Sequence, residues 1–262
     1  MARSINDNFP KGWKTVAVHK FGQSGVVSAT AAAQDVWSAG DTYNWPTEAT
    51  VCYVLSDLGV DQGSATGAGS TSGAWNVEIQ GLDGDFNYQT ETVVLNGTAT
   101  AETSLSYYRI FRAAVKSAGV AESNRGTISV YQQQSAGAGG DIKLAEIPSD
   151  TGQTLMAIYT VPALSGRDRV EFYGWKTWLS TKGSQPATVS LEMRENGGAW
   201  QTKDLVGVTS ANGSIEQIYA NPLQIAPKTD IRVRIPPSGA AGAAAIGASF
   251  DLMFSKQFTK AW

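Results

Sequence analysis

Residues 75–97, WNVEIQGLDGDFNYQTETVVLNG, decide the fold class of this chain. Trp75, Val77 and Ile79 alternate with Asn76, Glu78 and Gln80, which is the period of two of a half-buried strand. The apolar run stops at Gly81, and the LDGDFN that follows concentrates Asp, Gly and Asn. These residue types accept positive φ or bond back to their own backbone, so the chain reverses there. Residues 88–95 return as a strand rich in Thr, Val and Tyr, and Asn96-Gly97 is a strong short hairpin signal.

Working outward, the same texture recurs on both sides. TVCYVLSD at 50–57, the alternation of Leu105, Tyr107, Phe111 and Val115 broken by a charge only at Arg109, and a short strand at 127–131 lie on one side of QQQSAGAGG at 132–140. On the other side, Val189, Leu191 and Met193 alternate with Ser190, Glu192 and Arg194 before an Asn196-Gly197-Gly198 turn, and Ile231, Val233 and Ile235 oppose Arg232 and Arg234 until Pro236-Pro237. Strands separated by turns every ten or so residues, with no sustained helical period, predict an all-β chain of antiparallel sandwiches. The polar, Gly-rich stretch at 132–140 reads as a boundary. The expectation is therefore two tandem, jelly-roll-like β-sandwich domains, at 25–136 and 141–262, behind an extended N-terminal arm at 1–24. Phe9, Trp13 and Phe21 give the arm its aromatics, while Pro10 and Gly12 discourage a helix. An arm of this kind docks on its own body or on a neighbouring subunit; an N-terminal strand of the first sheet is the alternative. Residues 59–73, rich in Gly, Ser and Thr, read as a surface loop.

Composition excludes several functions. Lys and Arg number 20 against 23 Asp and Glu, for a net charge of -3 in 262 residues, which leaves no basic surplus for phosphates or anionic lipid. Nucleic acid is not an expected partner. The single Cys52 rules out an intrachain disulfide framework and a cysteine-based zinc site. No stretch approaches a membrane-spanning run or the apolar core of a signal peptide, so neither a membrane nor a cleavable secretory signal is expected.

Candidate chemistry is sparse. The one histidine, His19, lies in the expected arm, so histidine-based catalysis would run through a residue outside either core. Phosphate loops, H-E-x-x-H and dinucleotide fingerprints are absent from the sequence, and no cofactor is expected. Asp83, Asp85 and Asn87 have the D-x-D-x-N spacing of a calcium loop, but Tyr88 and Val94 stand where an EF-hand needs its Gly and its bidentate Glu; a tight turn wants the same residues. The carboxylates Asp57, Glu78, Glu91, Glu171 and Glu192 fall mostly on the solvent phase of their strands and offer no distinguished pair for glycoside hydrolysis. Trp37, Tyr43 and Trp45, with Trp175, are candidates for an aromatic platform that stacks on sugar rings.

The segment IQGLDGDFNYQTETVVLNGTATAETSLSYYRIFRAAVKSAGVAESNRGTISV, with GQTLMAIYTVPA, LEMRENGGAWQTK, KTDIRVRI and ASFDL after it, resembles virion structural proteins of tailed bacteriophages over about residues 25 to 255. VPALSGRDRVEFYGWKTW departs from the simpler VPAG turn of that family. The resemblance implies a non-enzymatic particle component made in the bacterial host cytoplasm and located in the virion. Its expected role is that of a capsid decoration or head-fibre protein, or of a tail-associated fibre or adaptor. Its expected partners are other capsid or tail subunits and further copies of itself, a trimer being among the cyclic assemblies open to such subunits. The alternative function is a carbohydrate-binding sandwich that recognises a host surface glycan.

Overall fold

A computed structural model describes residues 13–27, 32–63, 72–132, 141–164, 168–180, 186–237 and 244–257. Every element among them is a strand or an irregular connection, and all strand pairings are antiparallel. In chain order they are β1 (Trp13–Val27), β2 (Gln34–Asp35), β3 (Thr50–Ser56), β4 (Ala74–Leu82), β5 (Tyr88–Val94), β6 (Ala101–Tyr107), β7 (Arg109–Ala118), β8 (Ile128–Gln132), β9 (Ile142–Ile147), β10 (Ile158–Thr160), β11 (Arg169–Leu179), β12 (Ala187–Arg194), β13 (Gln201–Val208), β14 (Ser214–Ile225), β15 (Asp230–Ile235) and β16 (Ala244–Gln257).

These strands form two sheet pairs, each closed over its own apolar core. The sheets β6-β3-β8-β9 and β5-β4-β7 enclose Cys52, Val54, Val77, Ile79, Ile128 and Leu144. The sheets β1-β16-β11-β14 and β10-β15-β12-β13 enclose Phe172, Val189, Leu191, Ile231, Val233 and Phe250. In the second pair, the chain swaps between the two sheets at every step except the β12–β13 hairpin, in the double Greek-key order of a jelly roll. The inward positions are those picked out by the period of two: Val189, Leu191 and Met193 are buried on β12.

The two sandwiches are nested and not tandem. β2 and β10 lie end to end along one edge of β15, Asp35 opposite Arg234 and Ile158 opposite Arg232. Between them, Val36 N donates to Val233 O at 2.9 Å, Val233 N donates to Ala157 O at 3.1 Å, and Ala157 N donates to Val36 O at 2.8 Å. One jelly-roll strand is thus interrupted at Val36, and residues 37–156 leave as the inner sandwich before the strand resumes at Ala157. A bridge between Trp37 and Met156 closes this neck. Gly22 of β1 sits on the neck, where a β-carbon would lie 2.2 Å from Ala157 N and 2.7 Å from Val36 O, so only glycine permits that approach.

This topology corrects three expectations. Residues 13–24 are no free arm: Trp13–Val27 is a strand of the outer sheet, paired with β16 from Trp13 opposite Gln257 to Val27 opposite Ala244. Phe9 lies outside the described residues. The boundary expected near 136–141 runs between two paired strands, β8 and β9, with Ile128 opposite Ile147; residues 133–140 lie outside the described residues. A polar, Gly-rich stretch joins two paired strands as readily as it joins two domains, whereas β1 has its partner far off in the sequence. Strand pairing follows edge complementarity in space, and partners more than two hundred residues apart leave no local trace. Asn96-Gly97 also does more than close a hairpin: β5 and β6 lie in different sheets, and Gly97, at φ 63°, turns the chain from one to the other.

Candidate functional site

The seam between the sandwiches holds two groups of polar side chains, both anchored on β7. The first centres on Asp230, 1% exposed, whose carboxylate accepts Arg109 Nε at 3.1 Å and Nη2 at 3.2 Å, Thr160 Oγ1 at 2.6 Å and Arg194 Nε at 2.9 Å. Arg109 is buried as well and donates further to the carbonyls of Pro46 and Tyr108 at 2.8 and 3.0 Å. Guanidinium groups also lie against two indole rings that touch each other beside this pair, the Trp45 and Trp200 centroids being 5.2 Å apart. Arg194 lies 4.9 Å from the Trp45 ring and 4.6 Å from the Trp200 ring, and Arg232 lies 3.9 Å from the Trp200 ring. Arg232 donates to Glu192 at 2.7 Å and pairs with buried Asp35 at 3.6 Å. Burial, outweighing the Arg232 charge, raises the Asp35 carboxyl to about 6. The group ties β7 and residue 45 of the inner sandwich to β12 and β15 of the outer one.

The second group lines a cleft of about 400 Å³ between β1 and the β4/β7 face of the inner sandwich. Lys20 lies at its floor, 8% exposed. Its ammonium donates to the Phe111 carbonyl and lies 6.0 Å from the Phe111 ring. No carboxylate pairs with it among the described residues. Burial, helped by the Arg112 charge, lowers the ammonium to about 7. Phe111 packs against Tyr88 at 6.0 Å and Tyr159 at 4.9 Å, and Phe21 closes the β1 side. Arg112 donates to Gln153 at 3.2 Å at the rim.

The residues singled out from sequence are placed as follows. Trp37 and Tyr43, at 2% and 1% exposure, are core of the inner sandwich, in an edge-to-face chain that runs on to Trp45 and Trp200. They therefore cannot present a sugar-stacking platform, and Trp175, also buried, donates its indole N–H to Asp204 at 3.0 Å. The sequence misleads here because a large aromatic beside a Gly-Asp turn reads the same whether it faces the core or solvent. Asp83 Oδ1 accepts the amides of Asp85 and Asn87 at 2.9 and 2.8 Å, and Asn87 Nδ2 donates to Asp83 Oδ2 at 3.1 Å. With Phe86 at φ 67°, the carboxylate of Asp83 is turned onto its own turn. Among the described residues, no group of three or more His, Cys, Asp or Glu could hold a metal ion, and no helix is long and apolar enough to cross a membrane. Phe21 is half-buried beside the cleft, with the His19 ring 6.0 Å away; only the backbone of Trp13 is described.

Asp35, Asp61, Asp230 and Lys20 are buried charged groups that sequence reading passed over. Asp61, fully buried at the foot of the 59–73 loop, accepts from the amides of Ala74, Arg125 and Gly126 and from Ser56 Oγ at 2.7–2.9 Å. It ties both ends of its own connection, Ser56 and Ala74, to the distant connection between β7 and β8; residues 64–71 of that loop lie outside the described residues. Lys20 had only a weak signal: on β1 it falls in phase with Val18 and Gly22, while Ala17 and Phe21 leave the opposite phase no more polar.

No family model matches the chain, and no curated protein matches it. Among solved structures it is similar to that of the infectious bursal disease virus Gx strain, at 12% identity over 98% of this chain and 75% of that one, with a TM-score of 0.19. It is also similar to the infectious bursal disease virus VP2 subviral particle, at 15% identity over 94% and 71% of the two chains, with a TM-score of 0.21. Overlaps at that level carry no argument about shared architecture or role.

Proposed function

We propose that this protein is a non-enzymatic structural subunit of a virion, assembling as a symmetric oligomer of identical chains. The observation that carries the proposal is the open side of the jelly roll. β13 and β14 are the edge strands of their sheets, most of their side chains are exposed, and Leu205 and Ile218 stand 58% and 74% exposed there. A twelve-residue edge strand with apolar side chains and unpaired backbone groups is a template for a second chain. Jelly rolls recur in capsid and lectin domains, which is support by analogy of fold alone. The resemblance of residues 25–255 to tailed-phage virion proteins supports a phage particle, with the chain either decorating the head as a decoration or head-fibre protein or serving at the tail as a fibre or adaptor.

Two measurements test the proposal. Light scattering on the purified protein is expected to give a closed oligomer that Ile218→Asp dissociates into folded monomers; a monomeric wild type overturns the assembly role. Mass spectrometry of particles is expected to find the chain. A copy number close to that of the major capsid protein assigns it to the head lattice, a far smaller one to the tail or a unique vertex, and absence overturns the virion role. A second reading, a module that binds a host glycan, is favoured by one observation, the aromatic-walled cleft at Lys20.

A further inference from the structure

We infer that the cleft above Lys20 is a binding site for a carboxylated sugar of the uronic-acid class. The inference rests on the glycan reading and gives it a site and a ligand chemistry. Lys20 and Arg112 line the cleft, and no Asp or Glu does. The only histidine there, His19, is paired with Asp251 at 2.7 Å. The cleft therefore complements an anion. The Lys20 ammonium has three N–H groups and, among the described residues, one acceptor, the Phe111 carbonyl, so it has donors left for a carboxylate arriving from the cleft. A buried cation without a carboxylate partner destabilises the fold that holds it, and a ligand that supplies the missing charge removes that cost.

The walls select what carries the carboxylate. Tyr88 is 53% exposed and lies nearly parallel to Phe111, offering a ring face to the C–H face of a pyranose. Gln80, Gln153 and Thr154 complete the lining and supply amide and hydroxyl groups in place of further apolar surface, as sugar hydroxyls require. Inorganic phosphate would leave the aromatic walls wet, and an aromatic acid would leave the amides facing its ring. The volume, about 400 Å³, is within the range of small-ligand sites and suits one or two sugar rings.

The test is a titration of the full chain, followed by calorimetry and by amide NMR shifts, with glucuronate, glucose and benzoate at pH 6. Glucuronate is expected to bind in the millimolar range with shifts confined to β1, β5 and β7, and at least tenfold more tightly than glucose or benzoate. Lys20→Met and Tyr88→Ala, the latter on an exposed ring whose loss leaves the core intact, are each expected to weaken glucuronate at least fivefold. Equal binding of glucose and glucuronate in this cleft overturns the charge selection while leaving a glycan module standing. Tighter binding of benzoate, or glucuronate shifts elsewhere, overturns the assignment of the site. Failure of every sugar to bind overturns the inference and the glycan reading together.

Discussion

Asp230 and Lys20 are both buried at the seam, and both depend on β7, Asp230 through the Arg109 side chain and Lys20 through the carbonyl two residues on. Their surroundings are opposites. Asp230 receives four donated hydrogen bonds, three of them from two guanidinium groups, whereas Lys20 has one neutral acceptor and another cation nearby. A buried charge with a full set of partners is part of the frame, and its removal breaks things. A buried charge left short of partners weakens the frame, and its removal mends it. The difference separates the residue that fixes the sandwiches together from the one available to a ligand.

The sharpest way to break the contrast is Asp230→Ala. It strands the Arg109 guanidinium without its carboxylate, and a loss of about 3–5 kcal/mol is expected, measured as a shift of the urea midpoint. A loss under about 1 kcal/mol would place the seam's strength elsewhere. Next in size, Lys20→Met is expected to stabilise the protein by about 2 kcal/mol near pH 6, the relief of desolvation exceeding the loss of the bond to Phe111. The sign with pH follows from the depressed folded value. Between about 7 and the ordinary lysine value the unfolded chain binds the extra proton, so wild-type stability from this group rises with pH across that window and the advantage of Lys20→Met vanishes toward its top. The other titratable groups lining the cleft are Arg112 from β7, Tyr88 from β5, Tyr159 from β10 and His19 of β1, whose ring is paired with Asp251 of β16 outside the lining. A variant no more stable than wild type at pH 6 would mean that Lys20 is better solvated than its burial implies. The smallest effect is expected from Trp200→Ala, about 1 kcal/mol, because Arg194 and Arg232 keep their carboxylates when the indole they both contact goes.

The strands were legible and their assembly was not. Val77 and Ile79 are buried as alternation requires, although a bulge between Ala74 and Val77 turns Ala74 inward and leaves Trp75 half-exposed. The hairpin at 81–89 and the Asn196-Gly197-Gly198 turn form where their turn residues stand, with Gly197 at φ 76°. Asn212-Gly213 has the same turn composition, but it carries the chain from β13 to β14 in the facing sheet. Nothing local in the sequence of β1 names β16 as its partner, and nothing in Val36 or Ala157 shows that they are two halves of one strand. The site was legible only in residue types. Arg109 interrupts an apolar alternation, and Asp230 opens a run of inward Ile and Val. Both are the kind of misfit that marks a buried ion pair, but pairing one with the other takes the fold.

The nesting of one sandwich inside a strand of the other has a consequence for synthesis. β1 leaves the ribosome early, and its partner β16 follows more than two hundred residues later. At about 5–20 residues per second that is a wait on the order of ten to forty seconds. All of residues 37–156 are made within that interval, so the inner sandwich can close first, while β1 stays an unpaired strand among other nascent chains. In that period Lys14 and Lys20 are hydrated, and their charge guards the strand against pairing with a neighbour's. The lysine that burdens the finished protein is, for the growing one, a safeguard against aggregation.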